Sequence, residues 1–383
     1  MSSANAPKQV VQFIRDASGA RVAYAVVGEG PLILCPAWWV SHVERDWEHP
    51  GFCQFFARLA EGFRVVRYDR PGTGLSDRDV PPRTQASEVQ LLAALADAMG
   101  DAEFSMLAVS CAGPVALTYA AAHPDRIRRL CLYGSFARGS DAATPKLRDA
   151  LADLVIAHWG LGSMALAAIF LPNASAQEIE RFSNNQLDWA SGPKAAELLR
   201  LACQMSAADV LARVRTQTLI IHRREDRLVP LEAGRRLAAR LPQARFITLE
   251  GKAHPPWVDG DAIVDVVHGF FAGQERVALP PSTPIPSASS CRLDEANREL
   301  ILEGRREATT PLEYEVMLAL IRASGRVVTR DEMLAEIWGT SFAGSNKIEA
   351  VIRSLRKKLG AFAPSIETVT GHGYRFSGWK RLS

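Results

Sequence analysis

Residues 106–115 read MLAVSCAGPV: an apolar run, then Ser110 between small neighbours, then Gly113 and Pro114 leading into an alanine-rich segment. FSMLAV (104–109) has the length and composition of a buried strand, and AGPVALTYAAAHP (112–124) is helical in composition and stops at a proline. A serine held at so tight a strand-to-helix turn needs small residues two positions before and after it, because the ends of the turn nearly touch. Ala108 and Ala112 meet that need, with Gly113 next. Working outward, QVVQFIR (9–15) and RVAYAVVG (21–28) flank an ASGA turn and predict a hairpin. PLILCPA, FRVVRYDRPG, IRRLCLYG, TLIIHRRED and ARFITLEG predict further strands, with helices between them such as ASEVQLLAALADAMG, starting near Ser87. Alternating strand and helix predicts an α/β fold, a mostly parallel sheet with helices on both faces. Residues 140–212 carry no convincing strand and are rich in Leu, Ala, Trp and Phe at helical spacing, which predicts a helical cap inserted into that sheet.

With 383 residues, two domains are expected. The seam is a Pro/Ser-rich linker over 276–290, centred on ALPPSTPIPSASS (278–290), which divides a 1–275 domain from a 291–383 domain. The whole-chain net charge of +3 and 48% hydrophobic content identify no partner. Cysteines 35, 53, 111, 131, 203 and 291 show no metal-binding spacing and read as buried thiols. There is no signal-like start and no apolar run long enough to span a bilayer. The expectation is a cytoplasmic protein without metal, cofactor or membrane partner.

Two later motifs complete a chemistry around Ser110. IIHRREDRLVP (220–230) places Asp226 just past a strand, where a carboxylate can hold the tautomer of a histidine. LEGKAHPPW (249–257) places His254 in a loop after the last strand. Glu225 is the weaker alternative to Asp226. Backbone N–H groups of Cys111, directly after the serine, and of Trp38 in LCPAWW are candidates for an oxyanion hole. With YDRPGTGLSDR (68–78), residues 8–273 resemble an α/β-hydrolase, and especially the hydrolase-like domains fused to signalling modules. The resemblance implies Ser110, Asp226 and His254 as catalytic residues in that chain order, and treats Asp69 and Ser76 as a structural turn. Trp38, Trp39, Phe136, Trp159, Trp189 and Trp257 are candidates for lining a pocket between sheet and cap, while His158 reads as structural.

After the linker, CRLDEANRELILEGRREAT predicts short strands. TPLEYEVMLALIRASG predicts a helix with a Thr310/Glu313 capping box that closes on Gly325. TRDEMLAEIWG and NKIEAVIRSLRKKLG predict two more helices, and IETVTGHGYRFSG a glycine-tipped hairpin. In NKIEAVIRSLRKKLG, Ile348, Val351, Ile352, Leu355 and Leu359 recur at core spacing, while Asn346, Ala350, Arg353 and Lys357 share the other face. Over 343–383, lysines and arginines at 347, 353, 356, 357, 358, 375, 380 and 381 stand against Glu349 and Glu367 alone, an excess of +6 where the whole chain has +3. Helix, turn, basic helix and hairpin together make a winged helix-turn-helix, and residues 291–381 resemble the OmpR/PhoB-type winged-helix effector domain. That resemblance implies double-stranded DNA as partner. Arg353 becomes the base reader, with Asn346, Lys347, Arg356 and Lys357 on phosphates or base edges and His372 or Arg375 acting from the wing. It further implies a homodimer on repeated half-sites and a loop, GTSFAGSN (339–346), that approaches RNA polymerase.

Three functions fit these parts. The first is a one-component transcription regulator that senses a small hydrophobic or ester/lactone-like effector in the hydrolase-like pocket. The alternatives are a serine esterase or lactonase with an appended DNA-binding module, and a constitutive DNA-binding protein dimerised by its hydrolase-like domain.

Overall fold

The computed structural model describes residues 7–274, 291–294, 297–302, 305–323, 326–338, 346–369 and 373–376. The 276–290 linker, Gly325, His372 and nearly all of the 339–346 loop lie outside the described residues. The chain divides into two compact units, Met1–Ala278 and Leu279–Ser383.

The first unit opens with β1 (Val10–Arg15), β2 (Arg21–Val27) and β3 (Leu32–Cys35), then α1 (Arg45–Glu48), α2 (Pro50–Leu59) and β4 (Arg64–Tyr68). It continues through α3 (Gln85–Met99), β5 (Phe104–Val109), α4 (Ala112–Ala122) and β6 (Ile127–Tyr133). Between β6 and the next strand lie α5 (Pro145–Ala157), α6 (Trp159–Phe170), α7 (Ala176–Trp189) and α8 (Gly192–Gln204). Then follow β7 (Thr218–Arg223), α9 (Leu231–Ala238), β8 (Ala244–Leu249) and α10 (Asp261–Phe271). The eight-stranded sheet has the order β1-β2-β4-β3-β5-β6-β7-β8. The β1–β2 and β2–β4 pairs are antiparallel and the rest are parallel. Every residue of β3, β5 and β7 is buried, as strands covered on both faces must be. These central strands deliver the loops that build the site described below.

The predicted hairpin forms around Asp16, whose Oδ1 accepts from the Ser18 and Ala20 N–H groups at 2.8 and 3.1 Å. α3 begins two residues before Ser87, because Thr84 is its cap and Ser87 the returning partner of a capping box. Composition alone gave no sign of α1 or α2. Of the five first-unit cysteines, Cys35, Cys111 and Cys131 are buried, whereas Cys53 and Cys203 are partly exposed. No helix among the described residues is long and apolar enough to cross a membrane.

The second unit starts with an antiparallel sheet of β9 (Cys291–Asp294), β10 (Glu299–Leu302) and β11 (Arg305–Ala308). It continues with α11 (Pro311–Arg322), β12 (Val328–Thr329), α12 (Arg330–Trp338), α13 (Asn346–Leu359), β13 (Ile366–Val369) and β14 (Gly373–Phe376). The last sheet has the order β12-β14-β13. Ile348, Val351, Ile352, Leu355 and Leu359 are buried, as their spacing requires, against Val316, Met317, Leu320 and Phe376. α11 ends at Arg322 with Ala323 as its cap, short of the Gly325 expected from sequence.

The Thr310/Glu313 capping box is present, and Glu313 does more than cap. Its carboxylate accepts from Thr310 N at 2.7 Å, Ser354 Oγ at 2.6 Å and Lys358 Nζ at 2.7 Å, tying α11 to α13. Burial raises its pKa, but Lys358, Ser354 and Thr310 outweigh that and bring it to about 2 from an ordinary 4.5. A depressed carboxylate stabilises the fold above its unfolded pKa, and the contribution fades as pH falls from about 4.5 towards 2. Glu313→Gln is expected to cost roughly 1–3 kcal/mol at pH 7 and much less at pH 3. Urea titrations of the full chain at both pH values, with hydrogen exchange over α11, measure this. An equal loss at both would remove the charge from the explanation.

Candidate functional site

β5 ends by throwing Ser110 into a left-handed conformation, φ +56°, which a non-glycine residue adopts only under constraint. The constraint is visible. Ser110 N–H donates to Tyr133 O at 2.9 Å, and its carbonyl accepts from Ser135 Oγ at 2.8 Å and Gly113 N–H at 3.1 Å. A Cβ at Gly113 would stand 1.8 Å from Ser135 Oγ, so glycine is required there. α4 starts two residues after the serine, and Cys111 gives it no side-chain cap. The positive end of the helix therefore faces the serine without an internal carboxylate or hydroxyl cap.

Past β7, Asp226 accepts the Leu228 and Val229 N–H groups on Oδ1 at 2.9 and 3.1 Å, and its Oδ2 lies 2.7 Å from His254 Nδ1. With the carboxylate as acceptor, Nδ1 carries a proton, and in the neutral ring Nε2 therefore keeps its lone pair. Nε2 is buried with no partner within the protein. Burial raises the Asp226 pKa, but the charge and hydrogen bond of His254 and the Val229 N–H overcome it, and the net shift is downward. Glu225 turns outward to Lys252 at 3.0 Å, so the geometry pairs Asp226 with the histidine. The His254 N–H donates to Phe170 O at the end of α6, at 2.9 Å.

Ser110 and His254 meet in a cavity of about 50 Å³. Trp38, Trp39, Trp189 and Trp257 line it. Phe136 and Trp159 do not. Phe136 is buried in the core, and Trp159 stands edge-on behind Trp39 with its indole N–H on Ala190 O. Phe170, Phe182, Gln186 and Asp46 also line the cavity, and sequence reasoning missed all four. Phe182, Gln186 and Trp189 fall at i, i+4, i+7 in α7, a spacing that could have revealed them. Burial pushes the Asp46 carboxyl well up against the opposing pull of Arg67. His158 caps α6, accepting from the Leu161 N–H. Asp69 accepts from Ser41, Val43 and Leu75, and Ser76 donates to the Asp69 carbonyl, so both are structural ties.

The loop bearing Trp38 and Trp39 is held from behind. Arg70 donates to Ala37 O at 3.0 Å, Trp39 O at 3.3 Å and Glu88 at 2.7 Å, and Glu88 continues through Arg83 to Asp16. In a trans peptide the N–H points opposite to the C=O, so gripping Ala37 O turns the Trp38 N–H away from Arg70.

On α13, Arg353 and Lys357 are exposed. Arg356 is not free for phosphate, as the basic pattern suggested. It donates to Ile366 O at 2.7 Å and Thr368 Oγ1 at 2.8 Å and anchors β13. Arg375 is paired with Glu367 at 2.7 Å, and Lys358 with Glu313. Asn346 and Lys347 open α13, but their side chains lie outside those described.

Residues 30–261 match the family described as alpha/beta hydrolase fold. The chain belongs to that family. Residues 304–376 match the C-terminal domain of transcriptional regulatory proteins, the OmpR/PhoB-type DNA-binding domain. Pimeloyl-[acyl-carrier protein] methyl ester esterase of Xanthomonas campestris pv. campestris is 28% identical over 258 residues, 64% of this chain and 97% of the esterase. Transcriptional regulatory protein CutR of Streptomyces coelicolor is 32% identical over 96 residues, 25% of this chain and 44% of the regulator. Among solved structures, the esterase EaEST of Exiguobacterium antarcticum superposes with a TM-score of 0.62 at 19% identity, covering 69% of this chain and 100% of its own. An enol-lactonase of Burkholderia xenovorans LB400 gives 0.56 at 24%, covering 68% and 100%. These two structural likenesses establish the fold.

The hydrolase-family unit therefore keeps a strained serine, and that strain can be measured. Ser110→Gly is expected to be more stable than Ser110→Ala by about 1 kcal/mol, since only glycine adopts the left-handed conformation freely. Urea unfolding of the full chain tests the order, and the reverse order would mean that the turn is not strained.

Proposed function

We propose that this protein is a one-component transcription regulator whose hydrolase-family unit binds a small hydrophobic or ester/lactone-like effector. The carrying observation is that an OmpR/PhoB-type DNA-binding domain shares one chain with a buried, aromatic-lined cavity containing Ser110 and His254. A DNA-binding regulator acts in the cytoplasm. Arg353 reads a base edge and Lys357 meets phosphate, with Asn346 and Lys347 beside them. Arg356 and Arg375 shape the wing through the bonds they already make. Two copies bind repeated half-sites, and the 339–346 loop faces RNA polymerase.

In the cavity, Ser110, His254 and Asp226 have the roles that their geometry permits. Nε2 of His254 accepts the Ser110 hydroxyl proton, while Asp226 fixes the ring and offsets its charge. The serine oxygen adds to an effector carbonyl, whose oxygen becomes an anion received by the N–H of Cys111 at the start of α4 and that of Trp38 in the loop after β3. Collapse passes the proton to the departing alkoxide, and water releases the acyl group by the same route. Whether the regulator consumes its effector depends on how fast this cycle runs. The second reading, an esterase or lactonase with an appended DNA-binding domain, is favoured by the intact 2.7 Å Asp226–His254 bond.

The test is a gel mobility shift on the DNA upstream of the protein's own gene, with and without small-molecule extract of the host culture, for wild type and Ser110→Ala. An extract-dependent shift that persists in Ser110→Ala indicates a receptor, and one that changes in the mutant makes chemistry part of sensing. Effector-independent DNA binding together with p-nitrophenyl acetate hydrolysis that falls by about 10³-fold or more in Ser110→Ala favours the enzyme. On the DNA side, Arg353→Ala is expected to cost roughly 1–3 kcal/mol and relax sequence preference. Lys357→Ala should weaken all sequences alike and flatten the salt dependence. An Arg353→Ala variant with unaltered affinity and preference would place the recognition surface elsewhere.

A further inference from the structure

α7 carries two buried polar side chains on its inner side, and they differ in one respect. Ser183 is satisfied, 2.5 Å from Ser163 Oγ of α6. Gln186 is not: it is 0% exposed, it lines the cavity, and neither its Oε1 nor its Nε2 has a partner within the protein. One turn on, Trp189 also lines the cavity, is 6% exposed, and its indole Nε1–H likewise has no partner within the protein. Leucine or methionine would fill position 186 without stranding an amide, since buried polar groups are stable only when bonded. The unpartnered set is two donors, Gln186 Nε2 and Trp189 Nε1, beside one acceptor, Gln186 Oε1, in a wall otherwise made mainly of aromatic rings.

Resting on the proposed effector site, we infer that Gln186 and Trp189 form a recognition subsite for a neutral carboxamide group of the effector. A carboxamide matches the set atom for atom. Its N–H donates to Gln186 Oε1, and its carbonyl accepts from Gln186 Nε2 and Trp189 Nε1 through its two lone pairs. A bare ammonium would leave both donors unanswered. A carboxylate would bring a charge into a buried, mainly aromatic wall with no lysine or arginine, and a ketone or ester would leave Gln186 Oε1 stranded. The effector class is therefore a neutral compound whose reactive or bound carbonyl faces Ser110 and whose amide faces α7.

Four tryptophans line the cavity, so intrinsic fluorescence reports its occupancy. The full-length protein is titrated with butanamide, butanoate and pentan-2-one, small enough to probe the subsite alone, and the titrations are repeated on Gln186→Leu and Trp189→Phe. Wild type should bind butanamide about tenfold more tightly than pentan-2-one, the scale of one net hydrogen bond, and butanoate more weakly than either. Gln186→Leu should bring the amide-to-ketone ratio close to one while leaving the melting temperature equal or higher. Trp189→Phe, which keeps the ring and removes the N–H, should lower that ratio several-fold. Equal amide and ketone affinities in wild type, an amide preference that survives Gln186→Leu, preferred butanoate, or no binding at all would overturn the inference. An amide preference that behaves as expected, with DNA binding indifferent to every culture extract, would leave the subsite standing and overturn only the sensing role.

Discussion

Arg70 is a guanidinium with almost none of its side chain in contact with solvent, and much of the first unit is arranged around satisfying it. Removing a charge of that size from water costs several kcal/mol even after relaxation, and the cost is recovered only when every donor finds an acceptor in good geometry. Here the acceptors are Glu88 on α3 and two carbonyls of the loop after β3. The same carboxylate then binds Arg83, which reaches Asp16 in the first hairpin. One buried charge thus fixes a helix, a hairpin and the loop carrying Trp38 and Trp39. Displacing that loop, one part of the cavity wall, would strand a cation.

The parts legible in sequence were those in which a local rule leaves few alternatives. Strands buried on both faces appear as short apolar runs, and all of the quoted runs of the first unit became strands of its sheet. Ser110, Asp226 and His254 stand out because a tight turn, a strand end and a loop histidine are each readable within about ten residues. What composition could not say is which side of a buried ring faces a void. Phe136 and Trp159 are as aromatic as Trp39 and Trp189, yet one is core filler and the other supports its neighbour from behind. Gln186 was missed for the opposite reason: a polar residue on a cap helix looks solvated until the fold covers it. Arg356 shows the same limit on the DNA side, since charge counting does not reveal which cations are already committed to carbonyls.

Buried polar groups in this chain fall into sets that close on themselves and groups that stay open. In the second unit, Glu313, Ser354, Lys358 and Thr310 form a closed set that joins α11 to α13. In the first unit the network around Arg70 is also closed. Around the cavity, by contrast, His254 Nε2, the Gln186 amide and the Trp189 N–H all lack internal partners.

The bond from His254 N–H to the Phe170 carbonyl joins the floor of the chamber to its roof. Phe170 also leans on the histidine ring, with centroids 5.6 Å apart, and stacks on Trp39. Roof and histidine are therefore a single mechanical part. A guest bulky enough to lift the end of α6 must either break that bond or carry the histidine loop with it, loosening the ring that Asp226 holds. Guests that fit beneath the roof meet an aligned histidine, whereas larger ones displace it as they enter, so the size of a guest alone sets the state of the histidine it meets.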